Sequence, residues 1–158
     1  MNEKCCCFTG HRKIDNDKKE KIRAELKNIL TGLIKEGYTC FYAGGALGFD
    51  TIAALTVLEL KKSYPNIRLM LVFPCKSQTK GWNIKDIAIY EYIRLRCDNY
   101  VYTSEKYTSG CMHKRNRYLV DNSSICVCYL TGSRGGTVYT VNYARQQGLK
   151  VINIADSV

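Results

Sequence analysis

A chain of 158 residues, 46% hydrophobic, 24% charged and 11% aromatic, has the size and composition of one ordinary domain with a real core, which excludes a disordered or fibrous segment. Twenty-four Lys and Arg against fourteen Asp and Glu leave a formal charge of +10, which favours anionic partners such as nucleotides, nucleic acid or phosphorylated metabolites. No run approaches the roughly eighteen apolar residues of a membrane span, and no hydrophobic segment precedes a small-residue cleavage site, so no membrane role and a cytoplasmic location are expected.

Residues 4–9 read as a first strand. Helical spacing of Ile22, Leu26, Ile29, Leu30 and Leu33 predicts a helix over 17–36, ended by Gly37. A second strand over 38–43 leads to a helix over about 49–63, and a third strand over 67–73 is closed by Pro74. A polar loop over 75–82 precedes a helix over 84–96 and a short strand over 100–103. The helix expected over 112–122 is basic in its first half. It is followed by a strand over 124–130, a helix over 136–147, the terminator Gly148 and a last strand over 150–154.

Strands and helices that alternate in this way imply an α/β, three-layer Rossmann-like fold with a mostly parallel central sheet, here as one domain over 1–158. The nearly continuous apolar run I-C-V-C-Y-L fits a strand covered on both faces. Strand order is not legible at this level. The nine cysteines include Cys5, Cys6 and Cys7 in succession and Cys126 and Cys128 in alternation. Successive strand residues face opposite ways, which suits buried, reduced thiols better than disulfides among neighbours. No C-x-x-C pair is present, so no metal site is expected.

In a parallel sheet every strand-to-helix loop leaves from the carboxyl edge, where ligands bind. Three of these loops have unusual composition. F-T-G-H-R places Thr9, Gly10 and Arg12 at this rim, with His11 ambiguous. Arg12 can hold a phosphate through its planar fork, with a surface salt bridge as the alternative. A-G-G-A-L-G-F-D, residues 43–50, offers Gly44 and Gly45 for a sharp turn and Gly48 for close approach to the next helix. Asp50 in that helix's first turn suits either ligand contact, with sugar hydroxyls or a base, or helix capping alone. T-G-S-R-G-G-T supplies Ser133, Gly135, Gly136 and Thr137 as a second anion cradle. Neither loop carries the G-K-[ST] of an ATPase, and T-G-H-R lacks the dinucleotide fingerprint. On the basic helix, His113 and Arg117 share a face that Arg115 does not, so Arg115 or His113 is expected at the ligand and the rest in solvent. Trp82 and Tyr42 fit base stacking and ordinary packing equally well.

The strings C-F-T-G-H-R, Y-A-G-G-A-L-G-F-D-T-I-A-A and S-S-I-C-V-C-Y-L-T-G-S-R-G-G-T span almost the whole chain, and together they resemble the YpsA-like family of the Rossmann-like SLOG superfamily. That resemblance implies binding of nucleotides or nucleotide-derived small molecules at this rim, with a link to bacterial cell division and no defined reaction. Two relatives sharpen the alternatives. The LOG phosphoribohydrolases cleave the N-glycosidic bond of cytokinin nucleotides. Their Met-His-Glu-Arg-Lys motif is similar to Met112, His113, Lys114, Arg115 and Asn116, and their Gly-Thr-x-Glu-Glu to Gly136, Thr137, Val138, Tyr139 and Thr140. Arginine, glycine and threonine match, whereas the acidic positions do not. Cleavage builds positive charge on the ribose and requires a carboxylate, which Tyr139 cannot supply. The DNA-processing protein DprA binds single-stranded DNA, and its Ser-Gly-Gly-Ala-x-Gly-Ile-Asp turn is similar to residues 43–50.

The expected function is therefore recognition of a nucleotide or nucleotide-derived phosphorylated small molecule, with regulation or catalysis left open. Neither a cofactor nor a metal is required. Arg12 and the Gly135–Thr137 turn would hold phosphate, Gly44, Gly45, Gly48 and Asp50 the sugar or a second phosphate, and Arg115 would close the charge. A nucleotide N-glycosidic hydrolase and a single-stranded nucleic-acid module are the alternatives. A homodimer is expected by analogy with relatives.

Overall fold

The helices of the chain carry apolar positions at helical spacing, and its inner strands are apolar on both faces, so the stable arrangement is a sheet buried between two helical layers. The structure, a computed structural model, describes residues 4–158. Its elements are β1 (Cys5–Gly10), α1 (Asn16–Lys35), β2 (Cys40–Ala43), α2 (Phe49–Lys61), β3 (Arg68–Phe73), α3 (Ile84–Arg96), β4 (Asn99–Tyr102), α4 (Cys111–Asp121), β5 (Ile125–Tyr129), α5 (Gly136–Gln146) and β6 (Lys150–Asn153), with a 3₁₀ turn at Ile154–Asp156. Every element read from periodicity is present. The second strand starts later than expected because Gly37 and Tyr38 still belong to the end of α1. Their N–H groups donate to Ile34 O and Leu33 O at 3.0 Å each, and Gly37 turns the chain at φ 101°.

The six strands lie in the order β4-β3-β2-β1-β5-β6, and every neighbouring pair is parallel. The chain builds outward from β1 in one direction and then resumes on its other side with β5. The switch point therefore falls between β1 and β5, the place where open sheets leave a crevice at their carboxyl ends. Pleating sorts the core. Cys6 and Phe8 join Ile125 and Val127 in the layer under α1 and α2, while Cys7 joins Cys126 and Cys128 in the layer under α4 and α5. In α1, Ile22, Leu26, Leu30 and Leu33 form the buried stripe. No disulfide joins any of the nine cysteines among the described residues. No helix among the described residues is long and apolar enough to cross a membrane.

Candidate functional site

At the switch point the loops after β1 and β5 part, and α4 crosses beneath them on its way from β4 to β5. These elements enclose a cleft of about 290 Å³ at the carboxyl edge. Thr9, Gly10, Arg12, Asp50, Arg115, Gly136 and Thr137 all line it. Seven of the residues expected at the rim thus share one wall-to-wall space. Gly44, Gly45, Gly48, Ser133 and Gly135 stand outside its lining.

The glycines of the two cradle loops do different things. A Cβ on Gly48 would fall 2.4 Å from Arg12 O and 2.5 Å from His11 O, and one on Gly44 would fall 2.6 Å from Arg115 Nη1 and 2.9 Å from Asp50 Oδ2. The room these glycines leave is filled by protein. The first amide of α2 is engaged too, since Phe49 N–H donates to His11 O at 3.0 Å. At α5 the reverse holds. Residues 131–136 are all exposed, no side chain caps the helix, and nothing lies within 4 Å of where a Cβ on Gly135 or Gly136 would stand. The N–H groups of Gly136, Thr137 and Val138 precede the first helical hydrogen bond of α5, from Tyr139 N–H to Gly135 O, and no side chain caps them, the arrangement that receives anions.

Arg115 comes up from α4 and is 5% exposed. Its Nη1 donates to Gly44 O and, at 3.5 Å, to Val72 O, and its Nε donates to Asn116 Oδ1 at 2.7 Å. Nη2 donates to Met112 Sδ at 3.8 Å and keeps its second N–H for another partner. Burial lowers the guanidinium's affinity for its proton, and the nearby Asp50 charge opposes that shift. Asp50 is 6% exposed. Burial pushes its carboxyl up to about 6, against the pull of Arg115, the Ala46 and Gly44 amides and Arg12. Asp50 Oδ2 accepts from Ala46 N–H at 3.3 Å, but no direct ion pair joins it to Arg115 among the described residues. Arg12 is exposed and its guanidinium has no hydrogen bond or ion pair within the described residues.

A family model for YpsA, described as the YspA SLOG family, matches residues 6–154. The chain belongs to this family. It is 34% identical over 140 residues to the SPbeta prophage-derived protein YoqJ of Bacillus subtilis (strain 168), a match over 81% of this chain and 80% of that protein. Among solved structures it is similar to DNA processing protein A of Helicobacter pylori, with a TM-score of 0.66 at 14% identity over 93% of this chain and 63% of that one. The corresponding protein of Streptococcus pneumoniae gives 0.66 at 16% identity, over 92% and 48%. The chain thus spans less than two thirds of either DNA-processing protein, and at such identity the likeness concerns the fold.

Within this SLOG fold, other candidates are sorted by contact. Of Arg115 and His113, Arg115 reaches the cleft. The His113 ring instead lies 4.0 Å from the Tyr139 ring, and Arg117 Nη1 donates to Tyr139 Oη at 2.8 Å, so both serve the contact between α4 and α5. Trp82 packs edge-on to Tyr90 at 5.6 Å, and Tyr42 packs against the core layer under α4 and α5. His11 is a clasp between loops: its Nε2 lies 2.8 Å from Thr131 N and 3.0 Å from Thr131 O. Gln78, 7% exposed, was not singled out by sequence reasoning. Its Nε2 donates to Gly44 O at 3.3 Å and it lines the cleft. The loop over 75–82 has no periodicity to place it, so the only available signal was a polar residue shortly after Pro74.

Proposed function

We propose that this protein binds a nucleotide or nucleotide-derived phosphorylated small molecule in the cleft between the β1 and β5 loops. The observation that carries the reading is the open first turn of α5 with an unpartnered Arg12 across the same cleft. Phosphate would accept from the Gly136 and Thr137 amides, and the Arg12 fork would complete its shell. Charge-assisted bonds of this kind exceed neutral ones about twofold in strength. The role is regulatory in this reading, in keeping with the cell-division link that the family resemblance implies. The residues at the two acidic positions of the related hydrolases are neutral here, and Thr140 Oγ1 donates to Gly136 O at 2.9 Å instead of facing a substrate.

The test is calorimetric titration of nucleoside phosphates into the native chain and an Arg12→Gln variant. The variant should bind roughly tenfold more weakly, about 1.4 kcal/mol, with an unchanged melting temperature. Equal affinity in the two proteins would remove Arg12 from the site. A second reading, single-stranded nucleic acid, is favoured by the charge of +10 and by likeness to the H. pylori protein, whose structure concerns its single-stranded DNA binding mode. It predicts affinity that rises with strand length and falls steeply with salt. Hydrolysis of an N-glycosidic bond is the third, since Asp50 is the sole carboxylate that lines the cleft among the described residues. It requires free base among the products and loss of that product in Asp50→Asn.

A further inference from the structure

The outer faces of α2 and α3 carry apolar side chains that the described residues leave uncovered. On α3, Tyr90 and Ile93 are buried, while Ile84, Ala88, Tyr92 and Leu95 are exposed, Ile84 at 87% and Leu95 at 70%. Positions 84, 88 and 95 recur at helical spacing and form one stripe opposite the buried side. Beside it the two helices leave an open groove of about 440 Å³, with Leu55, Leu58 and Tyr92 as its apolar lining. The groove lies at the carboxyl-terminal halves of α2 and α3. Crossover helices of a parallel sheet end at the amino edge of the strands, so this groove is remote from the ligand cleft.

The charges around the groove do not cancel. Glu59 is occupied by Lys27 at 2.7 Å and Arg23 at 3.1 Å, both from α1, and Lys61 pairs with Asp98. Lys62 and Arg96 have no carboxylate at ion-pair distance among the described residues. Arg96 is held in place: its guanidinium lies 3.7 Å from the centre of the Tyr92 ring, and Nη1 donates to Tyr92 O at 3.2 Å. An apolar floor with two unneutralised cations at one end calls for an apolar occupant that brings carboxylates. A second copy of this chain would bring the same cations to the same face, on a background of +10.

We propose that the α2–α3 groove docks an amphipathic helix of a partner protein whose apolar stripe is flanked by Asp or Glu. Its apolar side chains pack over Leu55, Leu58 and Tyr92, in the helix-in-groove mode. Its carboxylates accept from Lys62 and from the Arg96 fork, which stacking on Tyr92 has already ordered, so less side-chain freedom is lost on binding.

The experiment is calorimetric titration of a synthetic amphipathic Leu–Glu helix of roughly four turns into the full chain, with a scrambled peptide of equal composition beside it. The amphipathic peptide should bind roughly tenfold or more tighter than the scrambled one. Tyr92→Ala and the pair Lys62→Glu with Arg96→Glu should each weaken it about tenfold, and hydrogen exchange should slow over residues 55–62 and 92–96 on binding. The pair Lys19→Glu with Lys21→Glu, on the exposed start of α1, makes the same charge change elsewhere and should bind like the native chain. Equal binding of the two peptides, equal loss in the α1 pair, or no binding at all overturns the proposal. Sedimentation of the native chain as a dimer that Tyr92→Ala dissociates would assign the face to a second copy and overturn it as well.

Discussion

Gly44 and Gly136 sit in loops of similar composition, and their surroundings predict opposite responses to one added methyl group. At Gly44 that carbon would press on the buried Arg115 guanidinium, at 2.6 Å from Nη1, and on Asp50 Oδ2 at 2.9 Å. Gly44→Ala should cost about 1–3 kcal/mol of stability, the usual range for overpacking, whereas Gly136→Ala should melt no lower than the native chain because its Cβ meets nothing within 4 Å. Thermal unfolding of the two variants checks this. Asp50 adds a pH signature. Its carboxyl is raised from 3.8 to about 6, so between those values the folded chain holds a proton that the unfolded chain releases. The stability from that proton is fully present below the unfolded value and is lost as pH rises through 6, with a ceiling of about 3 kcal/mol. Urea unfolding at pH 4 and pH 7.5 should therefore show a loss in the native chain that Asp50→Asn lacks. An identical pH response in the two proteins would refute the shift.

At the level of elements, the loop between β5 and α5 depends on how β5 ends. Asn153 closes β6 and binds across to that end: its Oδ1 accepts from Leu130 N–H at 3.1 Å and its Nδ2 donates to Leu130 O at 3.0 Å. The same Oδ1 accepts from Ala155 N–H at 3.1 Å, which starts the 3₁₀ turn. Asn153→Ala strips these partners from half-buried backbone groups and should cost about 1–3 kcal/mol, with faster amide exchange over residues 130–136. Local chemistry of this kind is readable only in part. The Asn83 cap on α3, which accepts from Asp86 N–H at 2.8 Å, stands immediately before an apolar-periodic run and follows the capping rule. Asn153 has no such context. It lies in an apolar strand, and its role becomes visible only once β6 is known to neighbour β5.

For the molecule as a whole, the nine cysteines provide a check on packing. Seven are buried, with Cys40 and Cys97 half-buried, and burial pushes the Cys5 thiol up to about 11 and Cys128 up to about 12. Without reductant, a thiol reagent should titrate nine groups in denaturant but at most the two half-buried ones rapidly in the native chain. Fewer than nine in denaturant would mean a disulfide. Thiols on neighbouring strands also meet within the sheet: a side-chain hydrogen bond with Cys7, and then burial, raise the Cys126 thiol well above its ordinary range. Cys7 and Cys126 are register partners on neighbouring strands, and their side chains point the same way into the layer under α4 and α5.

Element type, the parallel α/β class and the three loops at the rim follow from periodicity and turn residues, because those signals act over a few residues and are written in contiguous sequence. The choice of Arg115 over His113, the role of Gln78 and the difference between the two glycine loops were not accessible that way. Gly48 is covered by carbonyls from residues 11 and 12, and Gly44 by a side chain from α4. What occupies the space beside a glycine is set by chain segments far away in sequence. Whether such a turn stays open to a ligand or closes on the protein itself is therefore a property of strand order and packing.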